Sequence, residues 1–245
     1  MPSSPSAPRA DLQRLGALPF AHRGLHGPGR VENSRAAFRA AIAAGHGIEL
    51  DVQASRDGEA MVFHDYVLDR LTGAEGDVAA RSAAELGAVR LTGTDEAIPS
   101  LREILQLIGG AVPLLIEVKA PDRKVARLCL AIFRALEGYR GPVGVMSFNP
   151  EVPRWFAAHA PRVLRGLVVT ESGRRGLRGR VERAFAWWRS GAQFLACDIR
   201  DLPSRFARAR RKRGIPVYTW TVRSEADRAR AAPHADQIIY EAPPA

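Results

Sequence analysis

From Leu18 onward, short apolar runs alternate with longer segments in which alanine, leucine and arginine recur at helical spacing. The apolar runs predict strands at PFAH, GIELDV, AMVFH, LLIEV, VGVMS, RGLVV, FLACD, VYTWT and QIIY. The longer segments predict helices at residues 34–44, 100–109, 123–137, 150–158, 180–190, 203–213 and 224–232. Strands that alternate with helices are typical of a parallel sheet, and about eight such units over this length predict a (β/α)8 barrel of the TIM type.

One junction departs from this alternation. The segment QASRDGEA, between GIELDV and AMVFH, is too short for a helical crossover between parallel strands, and its Asp57-Gly58 pair is typical of a hairpin turn. Either the barrel is somewhat distorted between its second and third strands, or one of these strands extends into a hairpin. A doubly wound open sheet is the alternative fold, although the sequence has no glycine-rich phosphate loop to favour a nucleotide-binding version of it.

Length and composition favour one domain. With 245 residues, of which 46% are hydrophobic, the chain can form a single large core. We expect residues 1–15, which begin with a stretch rich in proline and serine, to be a loose N-terminal segment, and residues 16–245 to form a single barrel domain. The two cysteines lie in no disulfide or metal-binding spacing, and no signal-peptide or membrane-spanning run is recognisable, so we expect a cytoplasmic protein.

The chain is strongly basic, with a formal net charge of +10. A charge of this size favours anionic partners such as a phosphate ester, a membrane surface or a nucleic acid. Lysine occurs only at positions 119, 124 and 212, so arginine carries nearly all of the positive charge, and the densest run is RARRKR at residues 208–213. This run fits the solvated carboxyl-terminal end of a helix, and a patch that contacts lipid headgroups or nucleic acid is the alternative.

Acidic side chains stand near the predicted ends of two strands. Glu49 and Asp51 are two residues apart in GIELDV, so both point to the same face of the strand. Glu117 and Lys119 have the same spacing at LLIEVK. Functional residues of a TIM-type barrel lie at the carboxyl ends of its strands, where these carboxylates would form a hard oxygen site for Ca²⁺ or Mg²⁺. An ion-pair cluster with arginines is the alternative.

Two histidines also stand at strand ends. His22, followed by Arg23, ends the first predicted strand, and His64 ends the third. Histidine is suited to proton transfer near neutral pH, so a pair on either side of one reacting group indicates an acid and a base. We expect the remaining histidines, which lack such a setting, to be structural.

Several motifs together carry a resemblance to a known family. AHRG, ENS, GIELDV, DGEAMVFHDYVLDRLT, IPSLREIL and LLIEVK follow one another between about residues 20 and 119 in the pattern of the glycerophosphodiester phosphodiesterase family, and VYTWTV resembles its penultimate strand. The resemblance implies a (β/α)8 barrel that uses a divalent metal ion, Ca²⁺ or Mg²⁺. It also implies hydrolysis of a small glycerophosphodiester to glycerol 3-phosphate and an alcohol.

The resemblance further implies roles for individual side chains. They are His22 and His64 as the acid–base pair, Glu49, Asp51 and Glu117 as metal ligands, Arg23 and Lys119 as phosphate-binding groups, and Phe148 and Trp220 as the wall of the glycerol pocket. Packing in the barrel core is the alternative for the two aromatic residues. One histidine would deprotonate a glycerol hydroxyl that attacks phosphorus, and the other would protonate the leaving alcohol, after which water opens the cyclic phosphate. A direct attack by water would use the same residues.

A few positions depart from the family pattern. Val31 stands where proline is usual, Arg223 where asparagine is usual, and Tyr240-Glu241 where the last strand usually ends in Thr-Asp. Residues 65–98, where family members carry a variable insertion, form a short segment here, which predicts a fairly open pocket.

Three other functions are compatible with parts of the sequence. A lysophospholipase D or a related phospholipid-cleaving barrel would suit the basic surface and a peripheral contact with an anionic membrane, but no amphipathic segment with bulky apolar residues is clear. A nucleic-acid-binding module is favoured only by Trp187-Trp188 between Arg183 and Arg189 and leaves the metal and histidine positions unexplained, so we expect no nucleic-acid partner. An inactive scaffold is disfavoured because all of those positions are filled.

Overall fold

Eight parallel strands close into a barrel in the computed structural model, which describes residues 9–241. Along the chain the strands are β1 (Phe20–Ala21), β2 (Gly47–Ala54), β3 (Ala60–Val62), β4 (Leu114–Val118), β5 (Val143–Ser147), β6 (Leu164–Val169), β7 (Phe194–Asp198), β8 (Val217–Val222) and β9 (Gln237–Tyr240). β1 pairs with both β2 and β9, so the sheet closes on itself, and β3 pairs only with β2. The predicted TIM-type barrel is confirmed.

Helices cover the outside of this barrel. They are α1 (Arg9–Leu15), α2 (Arg35–Ala43), α3 (Ala83–Gly87), α4 (Leu101–Ile108), α5 (Ala126–Ala135), α6 (Glu151–His159), α7 (Leu177–Ser190), α8 (Arg205–Arg211) and α9 (Glu225–Ala231). The seven predicted helices are all present near their expected positions, whereas α1 and the short α3 were not predicted. Within residues 9–241, no helix is both long enough and apolar enough to cross a membrane.

The junction between the predicted strands GIELDV and AMVFH is a hairpin. β3 runs antiparallel to β2, with Val52 opposite Val62 and Ala54 opposite Ala60. Of the two arrangements that the sequence left open, the hairpin is the one present. AMVFH is its returning arm, β2 extends beyond the barrel to form the other arm, and AMVFH is not one of the eight barrel strands. Because β3 runs back toward the barrel, the residues that follow it come down to the level of Asp51, whose backbone carbonyl accepts a hydrogen bond from the N–H of Phe63 (3.1 Å).

The barrel interior is apolar at one end and polar at the other. Its floor is filled by rings and aliphatic chains that point inward, and the ring centroids of Phe194 and Tyr218 lie 5.1 Å apart. Gly166 makes room for this packing, because a Cβ at that position would overlap the Phe194 ring. The outward-facing residues of the strands form a second, larger core against the helices. A polar site can therefore occupy only the carboxyl end of the strands.

Residues 9–15 correct the expectation of a loose N-terminal segment. They form α1, in which Leu15 is fully buried and packs with the residues of the barrel floor. A Cβ at Gly144 of β5 would lie 2.7 Å from the Leu15 side chain, so a larger residue there would displace it. The helix forms because Leu12 and Leu15 cover apolar surface at the amino-terminal end of the barrel. Residues 1–8 lie outside the described residues, and so do residues 242–245 of the expected barrel domain.

We expect Leu15→Ala to lower the free energy of unfolding by about 2–5 kcal/mol, because it leaves a cavity in the barrel floor. Urea unfolding followed by circular dichroism measures the change. Gln13→Ala, on the exposed side of the same helix, is the matched control and should leave the unfolding midpoint near that of the wild type. Equal midpoints for Leu15→Ala and the wild type would mean that α1 is not part of the core.

Candidate active site

Three buried carboxylates meet at the carboxyl end of β2 and β4. Glu49 and Asp51 point into the barrel because alternate residues of β2 face inward, and the sheet register places Asp51 beside Glu117 of β4. One carboxylate oxygen from each of the three lies within 4.8 Å of the others. This is a set of hard oxygen donors on neighbouring rigid strands, as predicted from the sequence.

Two cations and one amide partly balance the negative charge. Lys119 Nζ lies 3.0 Å from Asp51 Oδ1 and also contacts Glu117. On the other side, Arg23 Nε lies 3.2 Å from Asp51 Oδ2, and Asn33 Nδ2 donates a hydrogen bond of 3.0 Å to the same oxygen. Burial alone would raise the pKa of Asp51, but Lys119 and Arg23 outweigh it and hold the pKa well below its ordinary value. Asp51 is therefore ionised.

Glu49 is less well compensated. Its Oε2 accepts a hydrogen bond from the backbone N–H of Arg23 (3.0 Å), whereas Oε1 is buried and has no hydrogen-bond partner among residues 9–241. Burial and the nearby charge of Asp51 raise the pKa of Glu49 to about 8. A buried carboxylate oxygen without a donor, beside two further carboxylates, fits a divalent cation, which would satisfy the free oxygen and stabilise the ionised form.

The loop after β1 has an uncommon backbone that serves this arrangement. Arg23 and Asn33 have positive φ angles of 56° and 57°. Such a conformation is tolerated by asparagine but is uncommon for arginine, and it costs on the order of 1–3 kcal/mol. It turns the N–H of Arg23 toward Glu49 while the guanidinium reaches Asp51. The ion pair of Arg23 with Glu32 (2.7 Å) holds the guanidinium from its other side.

His22 is held by the strand that closes the barrel. Its Nδ1 lies 2.7 Å from Oε1 of Glu241, directly after β9, and its Nε2 lies 3.9 Å from Oε2 of Glu49. Arg223, directly after β8, donates two hydrogen bonds to Glu241, of 2.6 and 3.0 Å. Burial lowers the pKa of the His22 imidazole, but the hydrogen bond to Glu241 and the charge of Glu49 outweigh burial and raise it overall.

His64 is held by the hairpin. It follows β3, and its Nδ1 lies 2.5 Å from Oδ1 of Asp65. The amide of Gln53, the next inward-facing residue of β2 after Asp51, donates to the backbone carbonyls of Phe63 (3.0 Å) and Asp65 (2.5 Å). The strand that carries two of the carboxylates therefore also fixes the segment that carries His64.

Most of these side chains line one cavity. It has a volume of about 400 Å³, and eight of the nine side chains singled out in the sequence line it, with Asp51 behind them. Phe148, directly after β5, and Trp220, on β8, also line it, with their rings edge to face and centroids 5.5 Å apart. Phe148 is half exposed, which favours a wall of the cavity over packing in the core.

Comparison with known proteins agrees with this geometry. A model of the glycerophosphoryl diester phosphodiesterase family matches residues 22–242. The chain belongs to this family. It is therefore a phosphoric diester hydrolase, and the resemblance stated from the sequence is confirmed.

Individual relatives cover most of the chain. A glycerophosphodiester phosphodiesterase from Caldanaerobacter subterraneus subsp. tengcongensis is 31% identical over 223 residues, which span 87% of this chain and 88% of the relative. The structure of the Thermotoga maritima glycerophosphodiester phosphodiesterase has a TM-score of 0.72 and 25% identity, covering 90% of this chain and 92% of that one. An Oleispira antarctica phosphodiesterase, solved in complex with the product sn-glycerol-3-phosphate, has a TM-score of 0.79 and 22% identity, covering 91% and 93%.

Sequence reasoning missed several residues of the phosphodiesterase site. Gln53 continues the inward-facing series of Glu49 and Asp51, so its position was available from the strand period. Glu241 and Arg223 were noticed only as departures from the family pattern. The two departures meet in one contact, in which Arg223 orients the carboxylate that Glu241 brings to His22.

We expect Glu49→Gln and Glu117→Gln each to weaken Ca²⁺ and Mg²⁺ binding by more than the roughly 10- to 100-fold that loss of an outer-shell partner costs. The reason is that each variant removes one charged oxygen donor from a set of three. Isothermal titration of protein stripped with EDTA measures the affinity. Glu137→Gln, on the exposed surface after α5, is the control and should bind as the wild type does. Equal affinities in all variants would place the cation elsewhere.

Proposed function

We propose that this enzyme hydrolyses glycerophosphodiesters to glycerol 3-phosphate and an alcohol with the help of a divalent cation. The observation that carries the proposal is that one cavity combines three converging carboxylates with two histidines, each bonded to a carboxylate of its own. The names of the relatives, and the product bound to the Oleispira antarctica phosphodiesterase, support the substrate class.

Binding of the diester would use both walls of the cavity. Arg23 and Lys119 line it on the side of β2 and β4, where their charges suit the phosphoryl oxygens. Phe148 and Trp220 present ring edges and faces on the other side, where the carbon atoms of the glycerol unit would contact them. The alcohol then points to the open end of the cavity.

A cation would be held by Glu49, Asp51 and Glu117. Ca²⁺ and Mg²⁺ both prefer such oxygen donors, and the free Oε1 of Glu49 is suited to complete the set. When bound, the ion supplies positive charge that lowers the pKa of an attacking hydroxyl and stabilises charge on the phosphoryl oxygens. Arg23 and Lys119 add to that stabilisation, since both already lie against the same carboxylates.

Proton transfer would fall to His22 and His64. One of them accepts the proton of a glycerol hydroxyl as it attacks phosphorus, and the other donates a proton to the leaving alcohol, which gives a cyclic phosphate. The roles then reverse as water opens the ring. A direct attack by water needs the same two histidines, because a proton must still be removed from the nucleophile and given to the alcohol.

Glu241 is a positioning residue in this mechanism. Its carboxylate is hydrogen-bonded to Nδ1 of His22, so Nε2 is the nitrogen that remains free to exchange a proton with the substrate. Nε2 lies on the side of Glu49, next to the proposed cation. Asp65 has the same relation to His64, so both histidines have a fixed ring orientation and a carboxylate that stabilises the protonated form.

Release of glycerol 3-phosphate from glycerophosphocholine and glycerophosphoethanolamine tests the function. The assay is run with EDTA and then with added Ca²⁺, Mg²⁺ or Mn²⁺, and lysophosphatidylcholine serves as the competing substrate. Metal-dependent release from the water-soluble diesters supports the proposal. Turnover of the lyso-lipid alone would assign the enzyme to the phospholipid-cleaving barrels, and turnover of none by folded, metal-loaded protein would refute the substrate class.

We expect His22→Ala and His64→Ala each to lower kcat about 10²- to 10⁴-fold, the usual contribution of a general acid or base. Calcium affinity and the free energy of unfolding should stay close to the wild-type values, because neither imidazole is a proposed ligand. His159→Ala, on the exposed end of α6, is the control and should keep full activity. If either active-site variant retained wild-type kcat, its histidine would not be part of the reaction.

Glu241→Gln should lower kcat by about 10- to 100-fold, because the amide neither fixes the His22 ring as the carboxylate does nor stabilises its charge. KM should change little, since Glu241 is not among the residues that line the cavity. Steady-state kinetics separates the two constants, and Glu241→Asp should restore part of the loss. Glu225→Gln on α9 removes an exposed carboxylate and is the control. A large rise in KM with kcat unchanged would assign Glu241 to substrate binding instead.

A further inference from the structure

The helix α7 has its apolar side turned to solvent. Leu177, Val181, Phe185 and Trp188 are 74, 61, 53 and 71% exposed, and they are half of the large apolar side chains that stand exposed among residues 9–241. We call these four residues the apolar stripe. Their spacing of three or four residues places them along one side of the helix, over a length of about 20 Å for 14 residues.

The buried side of α7 is the less apolar one. Its buried residues are Gly179, Arg183 and Ser190, and beside them Ala186 and Trp187 are partly buried against the outer core. Arg183 is held there by the backbone carbonyl of Arg174 (2.8 Å). A surface helix of a globular protein usually buries its bulky apolar residues and exposes its charges. The opposite arrangement indicates that the apolar stripe is covered by something other than this domain.

Most of the net charge of the protein lies in the part of the chain that includes this stripe. Residues 171–213, from the loop before α7 to the loop after α8, contain 13 arginines and lysines against four acidic residues, which leaves nine of the ten net positive charges of the chain. Arg178 flanks the stripe on one side and Arg180 on the other. The acidic Glu182 is already paired with Arg174 and Arg178.

The helix α8 belongs to the same surface. Its Arg210 stacks on Phe206 at 3.7 Å and on Trp187 of α7 at 5.4 Å from the ring centroids. Arg175, Arg180 and Arg205 line the groove between the two helices. The run at residues 208–213 is the carboxyl-terminal end of α8 and the residues after it, as the sequence suggested, and Arg210 connects this end to α7.

We propose that this face docks on the surface of an anionic phospholipid bilayer, with the apolar stripe inserted among the acyl chains and the arginines on the headgroups. A row of bulky apolar residues with basic margins is the pattern of helices that lie in the membrane interface. A second copy of this chain fits less well, because it would bring two surfaces of the same strong positive charge together. A nucleic acid would contact the arginines but would leave Leu177 and Val181 uncovered.

The position of the face relative to the active site gives the docking a consequence. β6 ends at the same end of the barrel as the other strands, and α7 begins after the loop that follows β6. Leu177 therefore lies at the end of the barrel where the cavity opens. This inference does not depend on which diester is cleaved, and the segment with bulky apolar residues that was not clear from the sequence is α7.

Vesicle flotation with the full-length protein tests the docking. Vesicles of phosphatidylcholine mixed with phosphatidylglycerol should carry the protein, whereas vesicles of phosphatidylcholine alone should carry at least roughly 10-fold less, and salt should release it. The double variant Phe185→Ser with Trp188→Ser and the double variant Arg180→Glu with Arg205→Glu should each lose roughly 10-fold or more in affinity. Leu130→Ser and Arg102→Glu, at exposed positions of α5 and α4, are the matched controls and should bind as the wild type does.

Other outcomes would overturn the proposal. The proposal would be wrong if the wild-type protein did not bind anionic vesicles. It would also be wrong if both double variants bound these vesicles as tightly as the wild type does. A dimer in solution that is lost only in the Phe185→Ser, Trp188→Ser variant, without vesicle binding, would assign the stripe to a second copy. The urea-unfolding midpoint of both double variants should match that of the wild type, which separates loss of docking from loss of folding and keeps this test independent of the proposed function.

Discussion

Three carboxylates are buried at one end of the barrel, and much of the surrounding structure serves to hold them there. Removing one carboxylate from water costs on the order of several kcal/mol unless it is paired, and three within 4.8 Å of one another also repel. Lys119 and Arg23 lie against Asp51, and the loop after β1 adopts its left-handed backbone to bring a donor to Glu49. Glu49 nevertheless keeps one buried oxygen without a hydrogen-bond partner among residues 9–241, and that oxygen could bind a cation.

The same strand organises the rest of the site. Glu49, Asp51 and Gln53 face the barrel axis from β2, so the strand could hold a cation through the first two and anchors the His64 segment through the third. From His64 the ion pairs continue through Asp65 and Arg70 to Glu32, and from there to Arg23. The groups proposed to bind phosphate, to bind a metal ion and to transfer protons therefore belong to one connected polar network, and a shift of β2 would move all of them.

The sequence predicted the part of this that depends on local period. Side chains alternate along β2, so Glu49 and Asp51 share one face whichever strands pair with it. The serines at positions 34 and 100 mark helix starts because their hydroxyls accept hydrogen bonds from backbone N–H groups of the first turn. The features that the sequence did not predict depend on contacts between residues far apart in the chain. Glu241 meets His22 only through the register of β9 on β1. The period of α7 is visible in the sequence, but which of its faces is buried depends on the barrel surface beneath it.

The contact between His22 and Glu241 links residues 219 positions apart. His22 also depends on β9 through its backbone, whose N–H donates to the carbonyl of Tyr240 (2.8 Å). During synthesis on the ribosome, β2 and β4 can bring their carboxylates together while β9 is still unmade. His22 meets Glu241 only when the barrel closes, so in the nascent chain the three carboxylates can come together before the proposed acid–base pair is complete.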